Sequence, residues 1–279
     1  MILDCQGKSL DLTNPQVMGI LNVTPDSFSD GGHFFAQDLA LKQAKQMVAD
    51  GAAIIDVGGE STRPGAAVVS VEEEIARVVP VIDAIRSEIA IPISIDTSKP
   101  EVMIAAVAAG AGLINDVQGL REAGALVAAA QLNVPVCLMH AQGTPQTMQD
   151  NPQYERVVDD VITFLMERVK ACESAGIARE KLILDPGFGF GKRARHNLRL
   201  MKHLSCLVDT GFPILIGVSR KSLIGKLLNV SVEERLAGSL ALASLAVWQG
   251  AKIIRTHDVR ETVQVVNLCN YVIQVEECD

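Results

Sequence analysis

Polar residues stand at the end of each of eight short apolar runs in the sequence. They are Asn22, residues 60–63, Asp96, Asn115 with Asp116, His140, Asp185, residues 219–221, and Arg255 with His257. Singly, an Asp or Asn at such a position could simply cap the helix that follows. If the runs are strands of one closed barrel, however, all eight positions meet on the face where barrel enzymes work. We therefore predict an active site built from these residues.

Positive charge is concentrated in the same segments, although the chain as a whole is acidic with a formal net charge of -8. The cations are Arg63, Lys192, Arg220, Lys221, Arg255 and His257. This distribution predicts an anionic substrate. Because the N–H groups that open a helix near Asp258 add partial positive charge, Arg255 and His257 are predicted to hold a phosphate there.

Acidic side chains share this cationic region. Asp96 and Asp185, with Asn115, suit a heterocycle that presents amidine-like N–H donors beside a phosphate, such as a pterin or a guanine. A carboxylate accepts the two parallel N–H bonds of such an edge. The alternative is an ion-pair network that serves only the structure.

Two long Gly-rich segments adjoin these residues, TPDSFSDGGHFF (24–35) and DPGFGFGKRARH (185–196). Glycine allows mobility and close approach of the backbone, so we expect both loops to close over a ligand and to bring Phe28 or Phe190 onto it. The alternative is that they are flexible surface loops.

The elements that must position these residues follow from the apolar runs at 17–21, 53–57, 91–95, 112–115, 134–139, 181–185, 213–218 and 251–255. Their continuous apolar character is typical of parallel strands covered on both sides. Segments of helical periodicity alternate with them, and one of these starts with Ser70 and Glu73 in a capping pattern. We predict an α/β fold, a (β/α)8 TIM barrel, as a single domain over 1–279 with residues 1–14 as a short amino-terminal cover.

The overall composition excludes several classes of function. The acidic balance of the chain opposes nonspecific binding to nucleic acid or to an anionic membrane surface. No apolar stretch approaches the roughly 20 residues that span a bilayer. The six cysteines are far apart in the sequence, so neither zinc nor disulfides are indicated, and the start of the chain does not resemble a secretory signal. We expect a cytoplasmic protein with no nucleic-acid or membrane partner.

Seven segments together resemble the dihydropteroate synthase family. They are LNVTPDSFSDGG (21–32), DVGGESTRPG (56–65), IDTSKP (95–100), INDVQG (114–119), DPGFGFGK (185–192), GVSRKS (217–222) and RTHDV (255–259). The resemblance extends from about residue 15 to about residue 265. It implies a transferase that condenses (7,8-dihydropterin-6-yl)methyl diphosphate with 4-aminobenzoate in folate synthesis, and it makes sulfonamides expected competitors.

The resemblance also implies roles for individual residues on the pterin side. Pterin-holding residues would be Asp96, Asn115, Asp185 and Lys221. Arg255 would lie against the pterin ring and join His257 on the diphosphate, and Ser219 would be a further substrate-binding residue. Asn22 would help to hold a Mg²⁺ cofactor. Diphosphate would leave ahead of amine attack, with the positive charge of the pterin stabilised by Asp96 and Asp30.

For 4-aminobenzoate, the resemblance assigns Thr62, Pro64, Phe28, Phe190, Lys221 and Ser222, with Arg63 ordering the loops above the ring. The catalytic residues implied are Asp96, Lys221, Asp30 and Arg63. Because the loops are rich in glycine, we expect them to order after the pterin binds, which would give sequential addition of the substrates.

The sequence departs from the family pattern at Ala141, where a Met is expected, and at 193–195, where RAR replaces a more neutral stretch. Two alternatives share the pterin-binding residues: a pterin-dependent methyltransferase barrel, and a catalytically silent pterin-binding paralogue. A homodimer is expected from the family, and the Ala-rich segment 236–248 is a candidate interface, although packing within the monomer explains that composition equally well.

Overall fold

The computed structural model describes residues 1–23, 32–61, 68–143, 148 and 152–275, with the backbone alone at 32–36. In these residues eight parallel strands form a barrel: β3 (Gln16–Asn22), β4 (Ile54–Gly58), β5 (Ile93–Asp96), β6 (Leu113–Asp116), β7 (Val136–Met139), β8 (Leu182–Asp185), β9 (Leu215–Gly217) and β10 (Ile253–Thr256). Their order is β8-β7-β6-β5-β4-β3-β10-β9. A parallel bridge from Leu184 to Ile214 brings β8 beside the residue before β9. The predicted (β/α)8 barrel is confirmed, and each predicted run overlaps one barrel strand.

Helices follow the strands and surround the barrel. They are α1 (Gly32–Ala49), α2 (Val71–Glu88), α3 (Pro100–Ala109), α4 (Ala125–Leu132), α5 (Val157–Ser174), α6 (Ala194–Lys202), α7 (Ser205–Val208), α8 (Ser222–Leu228), α9 (Leu236–Trp248) and α10 (Val259–Gln274). The cap predicted at Ser70 is present, since its Oγ accepts a hydrogen bond from the backbone N–H of Glu73 at 3.2 Å. None of the helices in the described ranges is long and apolar enough to cross a membrane.

Alternate residues of the strands belong to two different apolar clusters. In β4, for example, Ile55 and Val57 pack with the helices, whereas Ile54 packs inside the barrel. This division follows from the two-residue period of a strand, which sends successive side chains to opposite faces. The inward face continues from Ile54 through Asp56 to Gly58, so the barrel interior changes from apolar to polar toward the carboxyl ends of the strands.

An antiparallel hairpin lies at the amino-terminal end of the barrel. Its strands are β1 (Ile2–Cys5) and β2 (Lys8–Asp11), and its side chains Leu3, Leu10 and Leu12 join the interior apolar cluster. The contact is close: a Cβ added at Gly112 would lie 2.3 Å from the Cys5 carbonyl oxygen. This end of the barrel is therefore filled with side chains, and the polar face is at the opposite end. The single-domain organisation stays a prediction.

Candidate active site

A buried group of charges lies inside the carboxyl-terminal end of the barrel. The Nε of Arg255 donates to Oδ2 of Asp56 at 2.5 Å, and its Nη2 donates to Oδ2 of Asp96 at 2.7 Å. The side-chain amide of Asn115 donates to the same Asp56 oxygen at 3.1 Å. Strands β4, β5, β6 and β10 thus contribute one polar side chain each, and the guanidinium of Arg255 is fixed in orientation by two carboxylates.

Sequence analysis missed Asp56, which has no exposed surface. Asp56 lies inside the apolar run 53–57, and the predicted site included only polar residues that follow such runs. A signal was available: a carboxylate two residues after an inward Ile54 faces inward too, and a buried charge requires partners. Ser94 was missed for the same reason.

Three buried acceptors in this group have no hydrogen-bond partner among the described residues: Asp56 Oδ1, Ser94 Oγ and Asp96 Oδ1. Burial is the main cause that raises the pKa of Asp96 to about 7; Arg255 acts against the shift and Asp56 adds to it. The pKa of Arg255 lies above its usual range, because Asp56 and Asp96 more than offset the effect of burial. Unpartnered oxygens on a buried carboxylate suit a ligand that brings N–H donors.

Asp185 and Lys221 add a carboxyl group and an amine to the same carboxyl-terminal end of the barrel. Oδ1 of Asp185 accepts the backbone N–H of Gly187 at 2.7 Å. Burial raises the pKa of Asp185 to about 6, opposed by the Gly187 hydrogen bond and by Lys221. Burial also lowers the pKa of Lys221 to about 8, an effect that nearby Arg255 strengthens. The pKa of each group is therefore affected by a charge that another strand or its following loop contributes.

Lys221 is the residue before α8, and Ser222 is the first residue of that helix and is exposed. The preceding residue, Arg220, has a φ of +53° and is held by its backbone N–H, which donates to Oγ of Ser239 at 2.9 Å. The ammonium of Lys221 lies 4.2 Å from the centroid of the Phe190 ring. The loops after β8 and β9 thus bring the two predicted side chains Phe190 and Lys221 into contact.

Arg220 and Asp116, both part of the predicted polar ring, have other roles. The Arg220 guanidinium pairs with Asp258 at the exposed rim, with Nε donating at 3.0 Å. Asp116 is directed away from the barrel axis, and its carboxylate accepts from Oγ of Ser98 and from the backbone N–H groups of Gln118 and Leu120. Asp116 therefore orders the loop after β6. It does not cap the following helix, the alternative considered for such an Asp, because α4 begins only at Ala125.

The loop at 186–192 is packed rather than open. Gly187, Gly189 and Gly191 have φ values of +67°, +84° and +60°. A Cβ on Gly187 would lie 2.0 Å from the His140 carbonyl oxygen, and one on Gly191 would lie 2.6 Å from that of Gln142. The glycines thus provide left-handed backbone and the close approach of the backbone that we expected. The order of substrate binding stays a prediction.

Three further predicted residues, His257, Ser219 and Asn22, lie at the edges of the site. Nδ1 of His257 is 3.2 Å from Oγ of Ser219, which also accepts the His257 backbone N–H at 3.2 Å. Asn22 is beside Gly58 in the strand register, and Gly58 is beside Asp96. The predicted residues Phe28, Asp30, Thr62, Arg63 and Pro64 lie outside the described residues.

Comparison with known proteins identifies the family. A family profile described as pterin binding enzyme matches residues 18–257. The dihydropteroate synthase of Escherichia coli (strain K12) is 55% identical over 277 residues, which cover 99% of this chain and 98% of that protein. The chain belongs to the dihydropteroate synthase family. The synthase of Haemophilus influenzae is 52% identical over 268 residues, covering 96% of this chain and 98% of that protein.

Solved structures of dihydropteroate synthases share the fold. The Yersinia pestis enzyme, solved with a sulfonamide drug complex, has a TM-score of 0.94 at 52% identity and covers 99% of this chain and 100% of its own. The Xanthomonas albilineans enzyme in complex with 7,8-dihydropteroate has a TM-score of 0.90 at 48% identity, with 99% and 100% covered. The present chain is therefore a transferase of folate biosynthesis in a sulfonamide-target family, and these relatives decide against the methyltransferase alternative.

Proposed function

We propose that the chain joins (7,8-dihydropterin-6-yl)methyl diphosphate to 4-aminobenzoate, giving 7,8-dihydropteroate and diphosphate. The observation that carries the proposal is the group of unpartnered buried acceptors, Asp56 Oδ1, Ser94 Oγ and Asp96 Oδ1, beside the cations Arg255 and Lys221. Such a pocket suits a ring rich in N–H donors that carries an anionic group.

The pterin ring lies in the barrel between Asp96, Asn115, Asp185 and Lys221. Asp185, when ionised, accepts the two parallel N–H bonds of the amidine-like edge, and Asn115 offers a carbonyl oxygen while its amide is held by Asp56. Arg255 lies against the ring, a role supported by the two carboxylates that fix its guanidinium. The diphosphate lies nearer His257 and Ser219, at the start of the 16-residue helix α10.

The 4-aminobenzoate lies above, between Phe190 and the start of α8. The ring of Phe190 and the alkyl chain of Lys221 form one side, and the hydroxyl and backbone N–H of Ser222 meet the carboxylate. The sequence resemblance alone assigns four more residues to this 4-aminobenzoate site: Thr62, Pro64, Phe28 and Arg63.

In the proposed reaction the C–O bond between the pterin methylene and the diphosphate breaks first, and diphosphate leaves with the electron pair. The lone pair of the arylamine nitrogen then forms the new C–N bond, and the nitrogen releases a proton to solvent. Positive charge spreads into the pterin in between, where ionised Asp96, with Asp30, lowers its energy. Lys221 lies between both substrates and orients them.

The residues present are compatible with Mg²⁺ carried by the substrate. Asn22 offers its amide oxygen, the kind of ligand that Mg²⁺ takes beside phosphate oxygens and water. The neighbouring residue Gly58 does not crowd this oxygen, since even a Cβ built on Gly58 would lie 3.8 Å from it. No cluster of three His, Cys, Asp or Glu that could hold a metal is found in the described ranges. When bound, the ion would neutralise charge on the diphosphate leaving group.

We also propose that the protein is a cytoplasmic homodimer. Exposed apolar side chains line the carboxyl-terminal halves of the adjacent helices α9 and α10: Leu245, Trp248, Leu268, Tyr271 and Val272. Several exposed large apolar side chains on two adjacent helices are typical of a protein interface. The described cysteines are free thiols, as is usual in a reducing compartment.

Turnover of the two substrates tests the proposal. Purified protein given the pterin diphosphate, 4-aminobenzoate and Mg²⁺ should release diphosphate and form dihydropteroate at equal rates. Lys221→Ala should lose roughly 100-fold in kcat/KM because it removes the cation between both substrates. The control is Lys226→Ala, in the last turn of the same helix, which should keep wild-type rates. Wild-type activity in a folded Lys221→Ala protein would remove Lys221 from the site.

A further inference from the structure

Lys192 is a buried lysine for which the proposed reaction has no use. Its side chain is 3% exposed, and its ammonium lies 2.9 Å from the carbonyl oxygens of Gly187 and Phe190. The same nitrogen is 3.2 Å from the carbonyl oxygen of His140 and 2.9 Å from its Nδ1. Among the described residues it forms no ion pair with a carboxylate. A buried ammonium is unfavourable unless hydrogen bonds compensate it, and here they come from one loop and from His140.

The acceptors of Lys192 lie on both sides of the turn that carries Phe190. The chain reverses there, with the backbone N–H of Phe190 donating to the Gly187 carbonyl oxygen at 3.1 Å. Lys192 donates to the first and the last carbonyl of this turn and joins both to His140, just after β7. Asn197 assists, since its Oδ1 accepts the Gly189 N–H at 2.8 Å.

His140 is a fixed anchor for this lysine. Its ring packs edge-on against Phe164, with the centroids 4.8 Å apart. Burial, reinforced by Lys192, lowers the pKa of His140 to about 2, so the imidazole is neutral. A neutral imidazole can accept a hydrogen bond at Nδ1 from the ammonium, which a protonated one cannot. The loop after β8 is in this way tied to the strand beside β8.

The position of Phe190 depends on this arrangement. The backbone of Phe190 is held by Lys192, whereas its ring contacts Lys221 in the site. Asp185 is less dependent, because it lies on β8 itself and its backbone carbonyl accepts the His140 N–H at 2.9 Å. Loss of Lys192 would therefore free the Phe190 end of the loop more than the Asp185 end.

We propose that Lys192 is a positioning residue for the second substrate: by holding the turn at 187–190 it places the Phe190 ring against Lys221 and so sets the affinity for 4-aminobenzoate. This inference rests on the proposed role of Phe190. It assigns a function to a lysine whose hydrogen bonds are to the loop itself and to His140.

A double-mutant cycle between Lys192→Met and Phe190→Ala tests the inference, with the KM of each substrate measured for the wild type, both single variants and the double variant. Because small misplacements of a binding group are amplified in rate and affinity, Lys192→Met should raise the KM for 4-aminobenzoate about tenfold. The KM for the pterin diphosphate should stay within about twofold. In the Phe190→Ala background, Lys192→Met should add less than about twofold, because the ring that it positions is absent.

Lys8→Met is the matched control. Lys8 also donates to two backbone carbonyls, those of Ile89 at 2.9 Å and Ile91 at 3.1 Å, but at the opposite end of the barrel. It should leave the KM of both substrates unchanged even if it destabilises the protein. If Lys192→Met does not fold, Lys192→Gln takes its place, since its amide keeps two donors, and the same cycle applies with a smaller KM change.

The possible outcomes separate the inference from the function it rests on. If the KM values of both substrates rise equally, or the two substitutions are additive, Lys192 is merely structural and the inference is wrong. If Phe190→Ala leaves the 4-aminobenzoate KM unchanged, the proposed role of Phe190 fails, and any effect of Lys192→Met then arises by another route, which overturns the inference as well. If Phe190→Ala raises that KM and the Lys192 variant does not, the inference alone is wrong.

Discussion

Asp56 and Arg255 show how single residues acquire their roles in this site. A carboxylate inside an apolar strand is unfavourable in isolation, but here it accepts from Arg255 and from Asn115. Both donors also belong to the proposed pterin pocket. Asp56 therefore orients two binding residues while keeping one oxygen, Oδ1, without a partner among the described residues.

The pKa of Asp185 leads to a prediction at the same scale. Its pKa is raised to about 6, mainly by burial, so the carboxyl is ionised above that pH and protonated below it. A protonated carboxyl cannot accept two N–H bonds, so affinity for a pterin should fall by about tenfold for each pH unit below the pKa. Calorimetric titration with a pterin lacking the diphosphate, from about pH 5 to about pH 8, would measure it.

Asp185→Asn is the control for that titration. It should bind the pterin more weakly at every pH and lose the change near pH 6. A second change in pterin affinity, near pH 7 and caused by protonation of Asp96, should remain in this variant. An unaltered pH profile in Asp185→Asn would show that another group is responsible.

The loop after β8 shows what composition leaves undecided about an element. Its glycines predicted mobility and close approach of the backbone, and the structure shows close approach, with left-handed backbone against the carbonyls of His140 and Gln142. Composition records that glycine is present, and only the neighbouring segment determines whether it serves backbone conformation alone or close contact as well.

A pair of Gly→Ala substitutions distinguishes these two uses. Gly211 has a φ of +82° with nothing within 4 Å of a built Cβ, so Gly211→Ala should cost about 1 kcal/mol of unfolding free energy from backbone strain alone. Gly187→Ala adds a contact of 2.0 Å with the His140 carbonyl oxygen and should cost at least about 2 kcal/mol more. Urea denaturation measures both. Equal costs would contradict the close packing described for this loop.

At the scale of the whole molecule, one end of the barrel is closed by the amino-terminal hairpin and the other holds the polar site. The patch on α9 and α10 lies on the outer helical layer. Part of the Ala-rich segment that we considered as an interface is buried within the monomer, with Ala243 and Ala246 packed in the core. The apolar side chains that remain exposed there, Leu245 and Trp248, support the dimer proposal.

A charge placed in this patch should disrupt the dimer. Leu268, 65% exposed, lies on α10, and Leu268→Asp should weaken self-association at least about tenfold, since a carboxylate would be buried in the interface. Light scattering should give twice the 29.8 kDa chain mass for the wild type and a smaller mass for the variant. Val127→Asp, at a 59% exposed site on α4, should leave the mass unchanged. A monomeric wild type would refute the dimer.

The sequence by itself determined the barrel and the end of it that does chemistry. Eight apolar runs with helical segments between them have few other ways to bury their faces, and parallel strands place their polar ends together. Asp96, Asn115 and Arg255 could thus be brought together from sequence. The family motifs then defined the chemistry.

Only the tertiary structure decided which polar groups pair. Arg255 and Asp56 are 199 positions apart, and their contact exists because closure of the barrel brings β10 beside β3, which lies next to β4. The pairing of β7 with β8 places Lys192 against His140, whereas Arg220 and Asp116 find their partners in Asp258 and in the loop after β6. Hydrogen-bond partners depend on distances between strands and loops, whereas a sequence pattern specifies only which face of each element a side chain occupies.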